Sequence, residues 1–334
     1  MQHWADAPYA AWKRDLPKLG ADPAPLARTP PGARRRIDLA IRRGDRGRLL
    51  VGLHARGSRG IVDMRTCPVL DPRLFALIAP LRAALPSLAA LRAEGSAVLN
   101  LLDTGPDLLL RTDGELTAAD RTRLAAFARA DGVPRIAWAR DSGTPETAAQ
   151  FGPVSLRLGP GEVAPPPGAF LQASPQGEAA IRQAVLAGLP TRMPVRATVV
   201  ELYAGCGTLT FALAERARVV AYEGDPAAVA ALRRAGNPRV DARVRDLARQ
   251  PLQVADLRAA AAVVLDPPWA GAGPQMPTLA VSGVPRVIYV SCNPVALRRD
   301  AATLAASGYQ VEAVVSVDQF LWSARVEVVV VFKR

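Results

Sequence analysis

Residues Thr198 to Thr210 read TVVELYAGCGTLT, and how this stretch is read decides the fold. An apolar, β-branched run (Val199, Val200, Leu202) ends at Tyr203-Ala204, followed by Gly205-Cys206-Gly207. Thr208-Leu209-Thr210 then opens an Ala/Leu-rich segment. The pattern predicts a strand, a glycine turn and a helix. Glycine belongs where the backbone takes positive φ or must approach a ligand with no Cβ in the way. A second strand, Val219-Val220-Ala221-Tyr222, closes on Glu223, an acid at the distance where such folds contact a ribose diol. The third small position of the dinucleotide fingerprint is Thr210 instead of Gly or Ala. No pyrophosphate needs to sit on this helix start, so an adenosine ligand without phosphates suits the loop better than NAD. S-adenosylmethionine fits. A plain glycine turn without a ligand is the competing reading of the loop taken alone.

The 334 residues, half of them hydrophobic and 22% charged, give room for two domains and a sizeable core. No stretch approaches the length of a membrane span, and MQHWADAPYAAWKRDLPK at the start has no signal-peptide apolar region. A cytoplasmic protein with no membrane partner is expected. Cys67, Cys206 and Cys292 lie far apart, which implies neither a disulfide framework nor a metal site. The net charge is +12, and the only lysines are Lys13, Lys18 and Lys333. Residues 1–60 hold thirteen Arg and Lys against five Asp, which is eight of the twelve net positive charges. Such a basic N-terminal stretch points to a polyanion met through phosphate contacts, against a solvated basic face with no partner.

Along the chain, residues 1–32 carry six prolines and little periodicity, and are expected to form an extended or partly disordered basic arm. An α+β domain is expected over 33–165. In it Ile37, Leu39 and Ile41 alternate with Arg36, Asp38, Ala40 and Arg42 as a half-buried strand with a basic outer face. RGDRG (Arg43 to Gly47) is its turn, and Asp71-Pro72 opens a helix with a kink or restart at Pro80. A second helix runs from Thr117 to Asp131 and stops at Gly132. GPGEVAPPPG, Gly159 to Gly168, is the expected linker. Residues 166–334 then alternate strand and helix, with helix starts at Ser174-Pro175, Asp225-Pro226 and Asn293-Pro294. Strands at 198–202, 219–222, 243–245, 262–265 and 287–290, with a terminal pair at 311–317 and 326–332, predict an α/β fold with a doubly wound, mostly parallel sheet. Ligands of such sheets lie beyond the carboxyl ends of the strands, where Glu223, Asp246, Asp266 and Cys292 fall.

Chemistry concentrates at two of these ends. Val264-Leu265-Asp266-Pro267-Pro268-Trp269 sets an acid and a rigid turn at one strand tip. RVIYVSCNP, Arg286 to Pro294, sets Cys292 at the next, just before a helix start. Helix-start N–H groups lower a thiol's pKa and the thiolate is the nucleophile, so Cys292 is expected to be reactive. The alternative is a small buried hydrophobe. Cys206, between two glycines, is expected to serve packing.

The series FLQAS, ELYAGCGTLT, Tyr222-Glu223-Gly224-Asp225, RDLARQPL, LDPPWAGAG, VIYVSCNP and the terminal DQF…VE resembles the bacterial RNA uracil-C5 methyltransferases, which make 5-methyluridine in ribosomal or transfer RNA. CPVLDPRLFALIAPLRAAL, from Cys67, is similar to their central domain, so the resemblance runs from about residue 33 to the end. It implies that Cys292 is the nucleophile and Glu327 the general base. It also implies that Gln172, Tyr203, Thr208, Glu223, Asp266 and, near the adenine, Asp246 contact S-adenosylmethionine beside the Gly205–Gly207 turn. Without the resemblance, Glu327 reads as an exposed strand carboxylate. The partner implied is RNA, rRNA before tRNA, and a monomer is expected.

The chain departs from the family pattern at Trp269, where Arg usually stands, at Leu321 for Pro and at Arg325 for His, positions that bear on the substrate pocket. Cys67 matches the last of four iron–sulfur ligands whose other three are missing, so no cluster is expected. The family's small N-terminal RNA-binding barrel is also missing, and the arginine-rich arm is expected to replace it in part. Two other readings stand beside this one. Asp266-Pro267-Pro268-Trp269 is the tetrad of adenine-N6 methyltransferases, which would leave Cys292 and Glu327 idle. A non-catalytic RNA-binding relic would keep the cofactor site only. Cytosine-C5 enzymes usually carry a cysteine beside the strand-tip proline, where this chain has Pro267-Pro268.

Overall fold

The computed structural model describes residues 24–44, 48–55, 57–194 and 196–334, so most of the expected arm and part of the RGDRG turn lie outside the described residues. Two compact units are formed. One comprises Pro30–Leu156 and Ala164–Ala173; the other takes the residues up to Thr29, Arg157–Val163 and Ser174–Arg334. The chain therefore passes between units four times instead of once at a linker. The stretch expected as linker contains a strand: β9 (Leu156–Leu158) pairs with β10 (Gly161–Val163). The reason is local alternation, since Leu156, Leu158 and Val163 are buried while Arg157 and Glu162 face water.

Strand β1 (Ala27–Arg28) belongs to the second unit. The first unit holds β2 (Arg36–Arg43), β3 (Leu49–His54), β4 (Ile61–Asp63), α1 (Pro72–Ala76), α2 (Ile78–Ala84), β5 (Glu94–Leu102), β6 (Gly105–Thr112), α3 (Ala118–Ala130), β7 (Arg135–Arg140) and β8 (Glu146–Gln150). Its sheet runs β4-β3-β2-β5-β6-β7-β8. Neighbours are antiparallel except β6 and β7, which α3 connects as a crossover. Asp71 caps α1 by accepting from Arg73 N, and the helix restarts at Leu77 with Pro80 in the first turn of α2. Leu74, Leu81, Leu99, Leu110 and Phe127 fill the core against the inward face of β2.

The basic stretch at 34–36 is less free than its composition suggests. Arg35 is buried and its Nε donates to the Gln172 carbonyl at 3.1 Å. Arg36 lies 5.7 Å from the Phe170 ring, and burial holds its guanidinium below the ordinary value. These two side chains are structural in this unit, because aliphatic stems and guanidinium planes pack as well as they solvate.

In the second unit the elements are α4 (Pro175–Gly188), β11 (Thr198–Leu202), α5 (Thr210–Arg216), β12 (Arg218–Glu223), α6 (Pro226–Arg234), β13 (Val240–Val244), α7 (Val254–Leu257), β14 (Ala260–Leu265), α8 (Met276–Val281), β15 (Arg286–Ser291), α9 (Pro294–Ala306), β16 (Gln310–Asp318) and β17 (Glu327–Lys333). The sheet order is β1-β16-β17-β15-β14-β11-β12-β13. Strands β13, β12, β11, β14 and β15 are parallel, and β17 runs antiparallel between β15 and β16. This is the doubly wound, mostly parallel sheet that the alternation predicted. Strand β13 begins at Val240, earlier than its expected place at 243–245, because its pairing with β12 starts at Val219↔Val240. The last residues of the expected arm are extended but not detached. Ala24 N and Thr29 N donate to Val314 O and Asp318 O at 2.8 and 3.1 Å, covering the edge that β16 would otherwise expose.

Each unit has its own buried polar centre. In the first, Arg135 grips Asp107 through two hydrogen bonds of 2.7 and 2.8 Å and donates a third to Pro165 O. Burial pushes the Asp107 carboxyl up in spite of its partner. Asp107→Ala strands a buried guanidinium and is expected to cost about 3–5 kcal/mol in urea unfolding. Glu115→Ala, which removes an exposed partner of Arg140, is expected to cost less than about 1 kcal/mol.

Candidate active site at the carboxyl edge of the parallel sheet

Five parallel strands place their carboxyl ends along one edge, and the antiparallel β17 brings its first residue to that same edge. At the end of β11 the chain turns sharply, with Tyr203, Gly205 and Gly207 at φ of 62°, 55° and 104°. A Cβ on Gly207 would come within 2.6 Å of Leu232 and Phe211, so only glycine lets the turn pack there. A Cβ on Gly205 would meet nothing within 4 Å, which marks open space on that side of the loop. Glu223, at the end of β12, accepts from Gly205 N and Asp225 N at 2.8 Å each, which fixes its carboxylate over the turn. Each oxygen keeps a lone pair for a further donor. Thr208 is half-buried in the loop, and Asp246 is exposed just past β13, where Oδ1 caps Ala248 N and Arg249 N. Burial, with the charges of Asp300, Asp246 and Glu223, pushes the Tyr203 hydroxyl up to about 12. Cys206 is buried, and desolvation pushes its thiol up to about 12, as suits a packing residue.

The second half of the edge carries Asp266, Cys292 and Glu327. Register pairs Ser291 with Val328, so Cys292 follows β15 beside the point where β17 starts at Glu327. Glu327 is buried, not the exposed strand carboxylate that its sequence position alone suggests. Its Oε2 accepts from Gln319 Nε2 at 3.0 Å. Burial and the charge of Asp266 push its carboxyl up to about 8, and the Gln319 bond offsets only part of that. The expectation that a helix start lowers the Cys292 thiol is corrected. Burial, then the charges of Glu327 and Asp266, push it up to about 12, with Arg325 pulling the other way. The helix-start N–H groups of Val295 and Ala296 are taken by Asn293 Oδ1, and Pro294 has none to offer.

Comparison with known proteins bears on this geometry. A family model described as tRNA (Uracil-5-)-methyltransferase matches residues 240–334, which hold Asp266, Cys292 and Glu327. The chain is 38% identical to an uncharacterized RNA methyltransferase of Brucella melitensis, across 100% of this chain and 81% of that one. It belongs to the RNA (uracil-5-)-methyltransferase family. A 23S rRNA (uracil(1939)-C(5))-methyltransferase, RlmD of Chromohalobacter salexigens, is 36% identical over 90% of this chain and 65% of its own length. In fold, the chain matches a Pyrococcus abyssi tRNA (uracil-54, C5)-methyltransferase in complex with S-adenosyl-L-homocysteine, at TM-score 0.74 and 20% identity. That likeness covers 99% of this chain and 83% of the other. Members of this family depend on S-adenosylmethionine.

Several residues that shape this family site were not singled out from the sequence. Asp300 on α9 is buried and accepts from Tyr289 Oη and Ala272 N at 2.7 and 2.8 Å. Arg299 donates to Asp300 Oδ1 and to Ala270 O, both at 2.9 Å. Asn293 Nδ2 donates to Trp269 O at 2.7 Å. Together they clamp the loop after Asp266 onto the start of α9. The first glycine of WAGAG was the available signal: a Cβ on Gly271 would stand 2.7 Å from Asp300 Oδ2. Gln172, expected beside the cofactor, belongs to the first unit, where it is buried. Among the described residues, no group of three or more His, Cys, Asp and Glu is placed to hold a metal, and no helix is long and apolar enough to cross a membrane.

Two titrations follow from these environments. With Glu327 shifted from 4.5 to about 8, the folded state holds a proton that the unfolded state releases. Stability from this group is full below pH 4.5 and is lost as pH rises through about 8. Glu327→Gln is therefore expected to flatten the decline of Tm between pH 5 and pH 9, read by thermal unfolding. The same change removes a negative charge beside the thiol, so alkylation of Cys292 by iodoacetamide at pH 8 should quicken, by roughly 3- to 10-fold. Peptide mass spectrometry reads that rate, and no change would contradict the electrostatic coupling.

Proposed function

We propose that the protein methylates C5 of a uridine in RNA, an rRNA before a tRNA, through a covalent adduct between Cys292 and C6 of the base. The observation that carries this reading is the register of β15 and β17, which sets the thiol and the Glu327 carboxyl side by side at the sheet edge. The residues at the other strand ends fit S-adenosylmethionine. Gly205 faces open space, Glu223 holds a pinned carboxylate for the ribose diol, and Asp246 and Asp266 offer acceptors for the adenine and the amino acid end. We assign Tyr203, Gly205, Gly207, Thr208, Glu223, Asp246 and Asp266 to this pocket. When bound, S-adenosylmethionine supplies an electrophilic methyl group at a sulfonium.

Uracil C5 is too weak a nucleophile to take a methyl group unaided. Addition of the Cys292 sulfur to C6 forms an S–C6 bond and pushes the ring electrons onto C5 and O4, which makes C5 nucleophilic. The thiol proton passes to solvent water in that step. Its high resting pKa keeps the sulfur neutral until a base occupies the site, and Arg325 is the nearby charge that favours the thiolate. Once C5 carries both its hydrogen and the new methyl, Glu327 in its carboxylate form takes the C5 proton onto a carboxylate oxygen. The electron pair left at C5 then restores the ring double bond and expels Cys292 from C6. A carboxyl pushed up to about 8 is a base matched to neutral pH. The charge of Glu327 opposes ionisation of Cys292, and Asp266 raises both groups further. The same reading makes this a cytoplasmic monomer without an iron–sulfur cluster.

Incubation with methyl-labelled S-adenosylmethionine and unmodified 23S rRNA or tRNA transcripts, then digestion to nucleosides, should place the label in 5-methyluridine, with the rRNA the better substrate. Label in N6-methyladenosine, or none, would overturn the proposal. Cys292→Ala should abolish covalent capture of RNA containing 5-fluorouridine, while Glu327→Gln should accumulate the RNA adduct with turnover at least roughly 100-fold slower, the usual scale for a lost general base.

A further inference from the structure

Trp269 is a large aromatic left 51% exposed at the carboxyl edge, three residues past Asp266. Burying a ring of that size is favourable, so leaving it in water needs a reason. Its backbone is not loose: Asn293 and Arg299 hold the carbonyls of Trp269 and Ala270. The guanidinium of Arg325 lies 4.6 Å from the centroid of its ring. Arg325 is exposed and, among the described residues, forms no ion pair; its charge is felt by the Cys292 sulfur. It stands two residues before Glu327, on the loop between β16 and β17. That loop is itself fixed. Ser323 Oγ donates to Phe320 O at 2.7 Å and accepts from Arg325 N at 3.2 Å, and Trp322 is held at φ 59°, a left-handed conformation that bulky residues rarely take.

Two segments far apart in sequence thus converge to hold an indole and a guanidinium in contact beside Cys292 and Glu327. A fixed aromatic face with an uncompensated cation is what single-stranded nucleic acid binds: the ring stacks any base, and the cation meets the phosphate that follows it. We propose that Trp269 and Arg325 form a stacking platform for the nucleotide adjoining the target uridine, with the indole taking its base and the guanidinium its phosphate. This rests on the reading of the site as one for uridine in RNA, and it adds a specificity-determining pair that does none of the bond making. The platform holds the strand while the neighbouring uridine turns into the site, which needs an anchor when a base leaves its stack.

The test is binding, without turnover. Fluorescein-labelled octauridylate is titrated with full-length protein by anisotropy over a series of KCl concentrations. Trp269→Ala should weaken binding by roughly 5- to 100-fold, the range for one lost base–aromatic stack, and Trp269→Phe should recover most of it. Arg325→Ala should lower the slope of log affinity against log salt by about 0.7, and Arg325→Lys should keep that slope. Calorimetric affinity for S-adenosylhomocysteine should stay unchanged in all four variants. The proposal is overturned if wild type does not bind the probe, if Trp269→Ala binds within twofold of it, or if Trp269→Phe is as weak as Trp269→Ala. An unaltered slope in Arg325→Ala, or a parallel loss of S-adenosylhomocysteine binding, overturns it too. If the binding losses appear but wild type delivers no methyl group to uridine C5, the platform stands and the proposed reaction falls.

Discussion

The site depends on one backbone pairing: β17 enters antiparallel between β15 and β16, so that a strand start meets a strand end at the same edge. A sheet with parallel strands alone would offer only carboxyl ends there. The antiparallel insertion delivers Glu327 next to Cys292, and the hydrogen-bond register fixes that adjacency to the residue. Strand β17 is buried from Glu327 through Phe332, so a slip of one residue would drag the whole valine run out of place. Stability of the core and the position of the carboxyl are therefore the same constraint.

The electrostatics of the edge follow from that adjacency. Glu327 and Asp266 crowd a half-buried thiol, and desolvation dominates the shifts of both Glu327 and Cys292. Groups that resist ionisation are held in a neutral resting state. The positive counterweight is Arg325, whose guanidinium also stacks on Trp269. The loop that bears Trp269 is held from behind by the Tyr289–Asp300–Arg299 network, buried and hydrogen-bonded as interior polar groups must be. Rigidity on that side lets an exposed aromatic keep a defined place.

Much of this was legible in the residues in order. The apolar, β-branched run in Thr198–Leu202, the glycine turn and the Asp-Pro and Asn-Pro helix starts are local signals, and they point to the doubly wound sheet with its carboxyl edge. The order of motifs pointed to the family. Other features were not legible. The hairpin of β9 and β10 hid in a stretch rich in proline and glycine, and β1 is two residues recruited by an open edge. Arg35, read as part of a basic stretch, is buried against the Gln172 carbonyl.

By itself the sequence determined which elements form, where they are capped and which chemically able side chains stand at strand ends, because those depend on neighbours a few residues away. Only the tertiary structure decided the state of those side chains. Burial and the carboxylates of Glu327 and Asp266 raise the Cys292 thiol, and burial makes Glu327 a weak acid. Arg325 reaches Trp269 across 56 positions of chain. Desolvation and charge act through space, and no local pattern in the chain records what a fold will bring within a few ångströms.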